Sequence, residues 1–420
     1  MKKNVLGAIV WLSVVSIANA DNWGHWRGPT GNGVALNATP PTKWSPTENI
    51  KWKVAIPGRG SGSPVVWEDS VFVTTAVPLE KTGGRISEME FIVLCYDRKD
   101  GNLLWKNTSV VATPHEGTHE TNGFASASPC TDGKHVYAHF GSRGLYCYTM
   151  DGDLVWAKDD FGQMQTRNTF GEGSSPTIAD DKILVPWDHD GKSALFALNK
   201  LTGETIWMTP RDEPTCWATP LVAEFAGKKQ VIMNGQKFAR AYELDSGKEL
   251  WRCAGQTERP VASAVADQDF AYVGSGHRSS FLGAFRMDGS GNIQGTKNVV
   301  WTINRDTPDI GSPLLSSGRI YFYKAKSGQL SCVDAKTGKP HYMASRIPGV
   351  ETTYASPVAA GDFVFLTDRS GTTAVIKDDN QLIVIAKNSV GEPVDATPAP
   401  VGKELFLRGD KHLFCVAEKE

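Results

Sequence analysis

One unit is written eight times along this chain, and no other feature constrains the fold as strongly. Each unit opens on Ser-Pro or a near variant: Ser63-Pro64, Ser128-Pro129, Ser175-Pro176, Thr219-Pro220, Ser263-Ala264, Ser312-Pro313, Ser356-Pro357 and Thr397-Pro398. A short β-rich run, a polar turn and a second strand such as KILVPW or RIYFYK come next. The third strand keeps one slot small, with Cys95, Cys147, Ala197, Ala284, Cys332 or Cys415, and ends in turns such as Asp151-Gly152 and Thr202-Gly203. The fourth carries Trp105, Trp156, Trp207, Trp251 or Trp301, with Tyr342 in the sixth unit. Four strands per unit, at about 46 residues per unit over the 371 from Ile50 onward, is the signature of a β-propeller.

Closure is legible too. The eighth unit stops after its third strand near Ala417, and Ile50-Lys51-Trp52-Lys53 reads as an orphan fourth strand. Pairing the two would complete the last sheet and remove an exposed edge. The expectation is an all-β, eight-bladed propeller of four-stranded blades over residues 50–420, preceded by a leader over 21–49.

Residues 1–20 read as a secretory signal peptide. Lys2 and Lys3 begin it, Val5 to Ile17 is almost wholly apolar, and Ala18-Asn19-Ala20 is a small-x-small cleavage site. The apolar run is shorter than the roughly 20 residues that span a bilayer, and no Cys follows Ala20 to carry a lipid. A periplasmic or secreted, monomeric protein is expected. With 44 basic against 46 acidic residues there is no electrostatic case for nucleic acid. The seven cysteines are read as buried thiols, because four of them fill the repeated small slot. Cys130, Cys216 and Cys253 are left undecided.

The pattern L-x-A/C-x-D-x-x-x-G-x-x-x-W, clear in LCYDRKDGNLLW and LFALNKLTGETIW, resembles the tryptophan docking motif of pyrroloquinoline-quinone (PQQ) repeat propellers. The opening Trp23-Gly24-His25-Trp26-Arg27-Gly28-Pro29 is similar to the leader of an exported bacterial subgroup. The superfamily holds quinoprotein dehydrogenases and an outer-membrane assembly propeller lipoprotein. The resemblance implies the fold and leaves the activity open.

If strands A to D run from axis to rim, tight A–B and C–D turns share one face, and the longer B–C and D–A connections share the other. Function tends to reside in long loops on a rigid scaffold. The D–A crossovers carry Glu120, Glu172, Glu213, Glu258, Asp309, Glu351 and Asp395, read as an acidic ring at the channel mouth with a more basic surround. Candidate ligand-binding residues are His119, Glu120, Asn122, Arg167, Asn168, Glu172, Glu213, Arg259, Asp309, Glu351 and Asp395. No catalytic residue is assigned. The reading is a binding or scaffold module for a protein partner in the cell envelope or a small polar ligand. The alternative is a PQQ- and Ca²⁺-dependent dehydrogenase, with Glu172, Asn122 and Asn168 as oxygen donors; no adjacent Cys-Cys pair is present to support it. His115-Glu116-Gly117-Thr118-His119 spells the zinc-protease string but follows Pro114 and lacks a helical apolar period, so it is read as coincidence. Trp23, Trp26 and Arg27 are expected to latch the leader against the ring.

Overall fold

Each Ser or Thr that opens a unit accepts, with its side chain, a hydrogen bond from the backbone of the preceding unit. In the computed structural model, which describes residues 22–79 and 86–418, Ser63 N–H donates to Ser128 Oγ, Ser128 N–H to Ser175 Oγ, and so on through Thr219, Ser263, Ser312, Ser356 and Thr397. Thr397 N–H donates back to Ser63 Oγ. The eight bonds, all 2.9–3.0 Å, form a closed circle around the propeller axis. The signal segment read from the first twenty residues lies outside the described ones.

Eight antiparallel sheets radiate from this circle. Blade 1 comprises Val65–Trp67, Ser70–Pro78, Met89–Asp97 and Leu103–Ala112 from axis to rim. Blade 8 takes three strands from Ala399–Val401, Glu404–Arg408 and His412–Val416, and its rim strand is Ile50–Ala55. Trp52 faces Cys415 and Lys53 faces Phe414 across that seam, so the ends close the ring as the sequence predicts. Among the described residues, helix is confined to two short 3₁₀ turns, Gly141–Arg143 and Arg167–Thr169.

The rim tryptophans explain the small slot and the glycine turn together. In register, Cys95 lies opposite Trp105, Cys147 opposite Trp156, Ala197 opposite Trp207 and Ala284 opposite Trp301. A larger side chain there would collide with the indole. Each ring then crosses to the following blade: Trp105 Nε1 donates to Met150 O, Trp156 to Lys200 O, Trp207 to Leu244 O and Trp301 to Ala335 O, at 2.9–3.0 Å. Gly152, at φ 95°, turns directly beneath Trp105, where an added Cβ would lie 2.9 Å from the ring. Only glycine meets both conditions. All seven cysteines are free and buried; burial pushes the Cys95, Cys147 and Cys332 thiols up to about 12.

Two blades have five strands rather than the expected four. Blade 4 gains Gly291–Asn292, which runs parallel to Glu249–Cys253 with Trp251 beside Gly291. The insertion belongs to the following blade, whose turn glycine Gly289 still lies against the Trp251 ring, while Gln230 Nε2 donates to Met287 O at 2.8 Å. Trp251 Nε1 donates to Gln230 Oε1 of its own blade at 3.3 Å, so the side chain of Gln230 relays the docking bond. Blade 7 gains Val34–Ala35, parallel to its innermost strand Val358–Ala360.

That second addition comes from the leader, which does more than latch against the ring. It crosses the channel on the A–B side. Trp23 bridges Val66 of blade 1, Gly24 O accepts from Thr131 N–H of blade 2, and His25 Nε2 lies 3.2 Å from Thr177 Oγ1 of blade 3. Asn32 exchanges bonds with Ala266 of blade 5, and Thr39 N–H donates to Gly402 O of blade 8. Arg27, 2% exposed, donates to Pro313 O at 2.6 Å and Pro357 O at 2.7 Å in blades 6 and 7. Desolvation pulls its guanidinium down to about 9.

Ser312 is 1% exposed and is the acceptor for Ser263 N–H. Ser312→Ala strands that amide at an estimated cost of about 1–3 kcal/mol, whereas Ser312→Thr keeps the acceptor, as Thr219 and Thr397 do at equivalent places. Urea denaturation should show Ala well below Thr; equal midpoints would contradict the ring's role. His139, 1% exposed, is lowered to about 4, chiefly by desolvation. The unfolded chain, with a histidine near 6.5, takes up the proton first as pH falls, so stability is lost between pH 6.5 and 4. The loss is about 2 kcal/mol by pH 5. His139→Gln should flatten that slope; parallel pH profiles for the two proteins would refute it.

Candidate functional site

Opposite the leader, on the face of the B–C and D–A connections, the channel opens into a cavity of about 310 Å³. Its wall is built in two tiers by strand geometry. Seven of the eight circle residues line it, and so does the residue two positions earlier in every blade: Ser61 before Ser63, Trp217 before Thr219, Tyr354 before Ser356, Asp395 before Thr397 and their four counterparts. Alternate residues of an extended chain share a face, so a position that points to the axis brings its i−2 neighbour with it. Trp26 of the leader also lines the cavity. With the rest of the leader strapped across the channel behind it, the opening is a one-sided funnel.

Aromatic and charged groups meet around the funnel. Phe170 and Trp217 stack with centroids 6.5 Å apart, and Trp217 is fixed by Nε1 donating to Gly171 O at 2.7 Å. His119 meets Phe170 edge-on at 5.0 Å, and its Nδ1 accepts from Thr121 N–H at 3.2 Å. Asn122 donates to Phe170 O at 2.8 Å, while its Oδ1 accepts from Gly123 N–H and the Ser126 hydroxyl. Arg259 lies 5.3 Å over the Phe170 ring and touches His277. His277 Nδ1 is 3.9 Å from Asp309, a carboxylate 8% exposed that desolvation pushes above its usual range. Desolvation, followed by the Arg259 charge, lowers His277. Asp395 is clamped by Arg369 at 2.6 and 3.0 Å, and Arg369 covers Tyr354 at 4.1 Å.

Of the eleven residues singled out in the sequence, the structure gathers His119, Asn122, Arg259, Asp309 and Asp395 around the funnel. The other six lie outside its lining. Glu120 is exposed, and its carbonyl accepts from Arg59. Arg167 pairs with Asp190 at 2.6 Å, and Asn168 sits in the adjacent 3₁₀ turn at φ 55°. Glu172 turns back to the Ser142 amide and hydroxyl, and burial raises it despite those bonds. Glu213 is buried against Arg240 and accepts from the Lys237 and Phe238 amides. Glu351 is exposed.

The acidic ring expected from the crossovers is therefore not formed: only Asp309 and Asp395 reach the lining. Sequence proximity to Ser-Pro placed the acids near the mouth, but local partners turned them away. Trp26, expected only to latch the leader, lines the funnel as well; Phe170, Trp217 and Tyr354 went unnoticed, and counting two residues back from each Ser-Pro start would have found the last two. The H-E-x-x-H segment is a loop, with His115 Nε2 2.6 Å from Met164 O. In Asp188-His189-Asp190, a run with the residue types of a metal cluster, Asp188 is instead buried against Arg211 at 2.8 Å. Among the described residues, no three His, Cys, Asp or Glu side chains converge to hold a metal ion.

No curated protein matches the chain in sequence. Several solved structures share its fold. BamB from Moraxella catarrhalis is 14% identical, with a TM-score of 0.58 over 86% of this chain and 97% of its own. Quinohemoprotein alcohol dehydrogenase from Comamonas testosteroni is 10% identical, with a TM-score of 0.63 over 96% of this chain and 82% of its own. A europium-containing methanol dehydrogenase is 10% identical, with a TM-score of 0.62 over 93% and 90%. At such identities the likeness is one of fold. Residues 89–340, more than half of the sequence, match the model of the PQQ-repeat family described as outer membrane protein assembly factor BamB, and the chain belongs to that family.

Proposed function

We propose that this propeller is an exported binding or scaffold module whose site is the funnel on the B–C/D–A face. It takes a small polar ligand or a projecting segment of a protein partner in the cell envelope. The observation that carries the reading is the one-sided cavity, walled by all eight blades and lined by Trp26 from the leader. A rigid, aromatic, largely pre-formed concavity with a few converging polar groups is what a binding site requires. Export rests on Lys2-Lys3, the apolar run and Ala18-Asn19-Ala20. Among the described residues, no helix is long and apolar enough to cross a membrane. Residues 21–49 and 50–420 act as one functional unit in this reading, because the leader contributes to the site.

A PQQ–Ca²⁺ centre is the family alternative, and the donor set does not suit it. Calcium takes six to eight oxygen ligands. In the funnel Asp395 is committed to Arg369, Asp309 faces His277, and the Asn122 carbonyl is already doubly bonded. Glu172 is held by Ser142, outside the lining.

The test is ligand retention by the purified full-length protein, followed by native mass spectrometry and tryptophan fluorescence. A ligand or partner peptide should bind saturably without Ca²⁺, and Trp217→Ala should weaken it about tenfold or more through lost stacking. Titration with PQQ and Ca²⁺, with dye reduction followed in parallel, is the counter-test. Saturable, Ca²⁺-dependent quinone binding with turnover would replace this reading with the dehydrogenase.

A further inference from the structure

The rim strand of a blade presents an outer row of backbone N–H and C=O groups that invites another strand, and folds normally blunt such an edge. Seven of the eight rims here are blunted. Blade 4 has its rim covered by Gly291–Asn292. The rims of blades 3 and 6 contain Pro210 and Pro340, which cannot donate to a ladder. Those of blades 7 and 8 carry Lys387 and the pair Lys51 and Lys53. Blades 2 and 5 have rim strands of five residues. The blade 1 rim, Leu103–Ala112, is ten residues long, with no proline and a single charge at Lys106. Among the described residues, no strand pairs with its outer edge.

The pattern along that strand is complementary to itself. Leu103, Lys106, Thr108 and Val111 lie opposite Tyr96, Leu94, Ile92 and Glu90, alternate residues of the neighbouring strand. The four therefore share one face, and all are exposed. Leu104 and Ser109 fall out of register, one on each side of Asn107. Counted outward from Asn107 past these bulged residues, Lys106 and Thr108 stand first and Leu103 and Val111 third. Reversed against a copy of itself about Asn107, the strand sets Leu103 opposite Val111 and Lys106 opposite Thr108, twice each. Leu103 is 51% and Val111 46% exposed, so apolar surface meets apolar surface. Sliding one copy by two residues would set Val111 against Lys106, or one Lys106 against the other. The register about Asn107 avoids both penalties.

We propose that two copies of this chain associate rim to rim, in place of the monomer expected from the sequence, by antiparallel pairing of their Leu103–Ala112 strands about a two-fold axis at Asn107. The two first blades then form one continuous eight-stranded sheet. A second copy suits this edge because a two-fold operation supplies the same pattern reversed, which is the pattern the strand complements. The contact closes on itself, so it ends at a dimer. One strand pair is less than a standard interface, and the dimer is accordingly weak, with a Kd of about 10–500 µM.

Sedimentation velocity of the full-length protein over a range that spans this Kd tests the pairing. A reversible monomer–dimer equilibrium with no larger species is the expected result. Thr108→Lys, at an exposed position, sets a second lysine opposite Lys106 of the other copy and should weaken the dimer at least about tenfold. Adding Lys106→Glu to Thr108→Lys places opposite charges at those facing positions and should restore it. Val300→Lys, on the exposed rim of blade 5, should leave the equilibrium unchanged. A protein that stays monomeric throughout would overturn the proposal, including the case in which the edge takes an extended segment of a different protein. A dimer indifferent to Thr108→Lys, or lost equally in Val300→Lys, would place the contact elsewhere and overturn it too. Loss in Thr108→Lys without recovery in the double variant would refute the two-fold register.

Discussion

A single hydrogen bond repeated eight times, from the amide of one blade's first residue to the hydroxyl of the next, organises this molecule. Each bond is worth roughly 1 kcal/mol net, yet the set has a geometric consequence beyond its energy. Eight such links can all be made only if the last blade returns to the first. The rim repeats the logic with different chemistry, as each indole caps the next blade's turn and the seam at Trp52 uses the same bond, to Arg98 O at 2.9 Å. Inner circle and outer docking fix blade spacing at both radii. The loops between them are carried on a frame with little freedom to move.

The leader turns that frame from a tube into a vessel. Its bonds reach the innermost strands on both sides of the channel, and Arg27 is buried on carbonyls of two Ser-Pro pairs with no carboxylate partner among the described residues. Burying a guanidinium on neutral acceptors is expensive, which is reflected in its lowered proton affinity. Such a group is tolerable where its removal would leave several buried carbonyls unsatisfied. The same segment brings Trp26 to the funnel, so strap and binding wall are one structure.

What was legible in the sequence was whatever the repeat imposes: blade number, strand order, the Cys/Ala slot, the indole positions and the seam between Ile50–Ala55 and His412–Val416. All but the seam are repeated observations, carried by agreement among copies, and the seam is the one place where the repeat is interrupted. The site lay beyond reach wherever a side chain's direction depends on one partner. Glu172 and Glu213 sit in crossovers like Asp309, but Ser142 and Arg240 claim them. The path of residues 22–49 was hidden because its partners, mostly backbone groups, are scattered over seven blades and leave no pattern in one chain. The extra strand Gly291–Asn292 was likewise hidden, since two residues have no periodicity to read.

The account depends most on the leader occupying the axis, and hydrogen–deuterium exchange resolved by residue reads that directly. The amides of Thr131 and Ala359, bonded to Gly24 O and Gly33 O, and that of Gly33, bonded to Arg27 O, are the reporters. Protection equal to that of the central blade strands, over hours, is the predicted result. Exchange of these amides within seconds, while the blade strands stay protected, would show an open channel and contradict it.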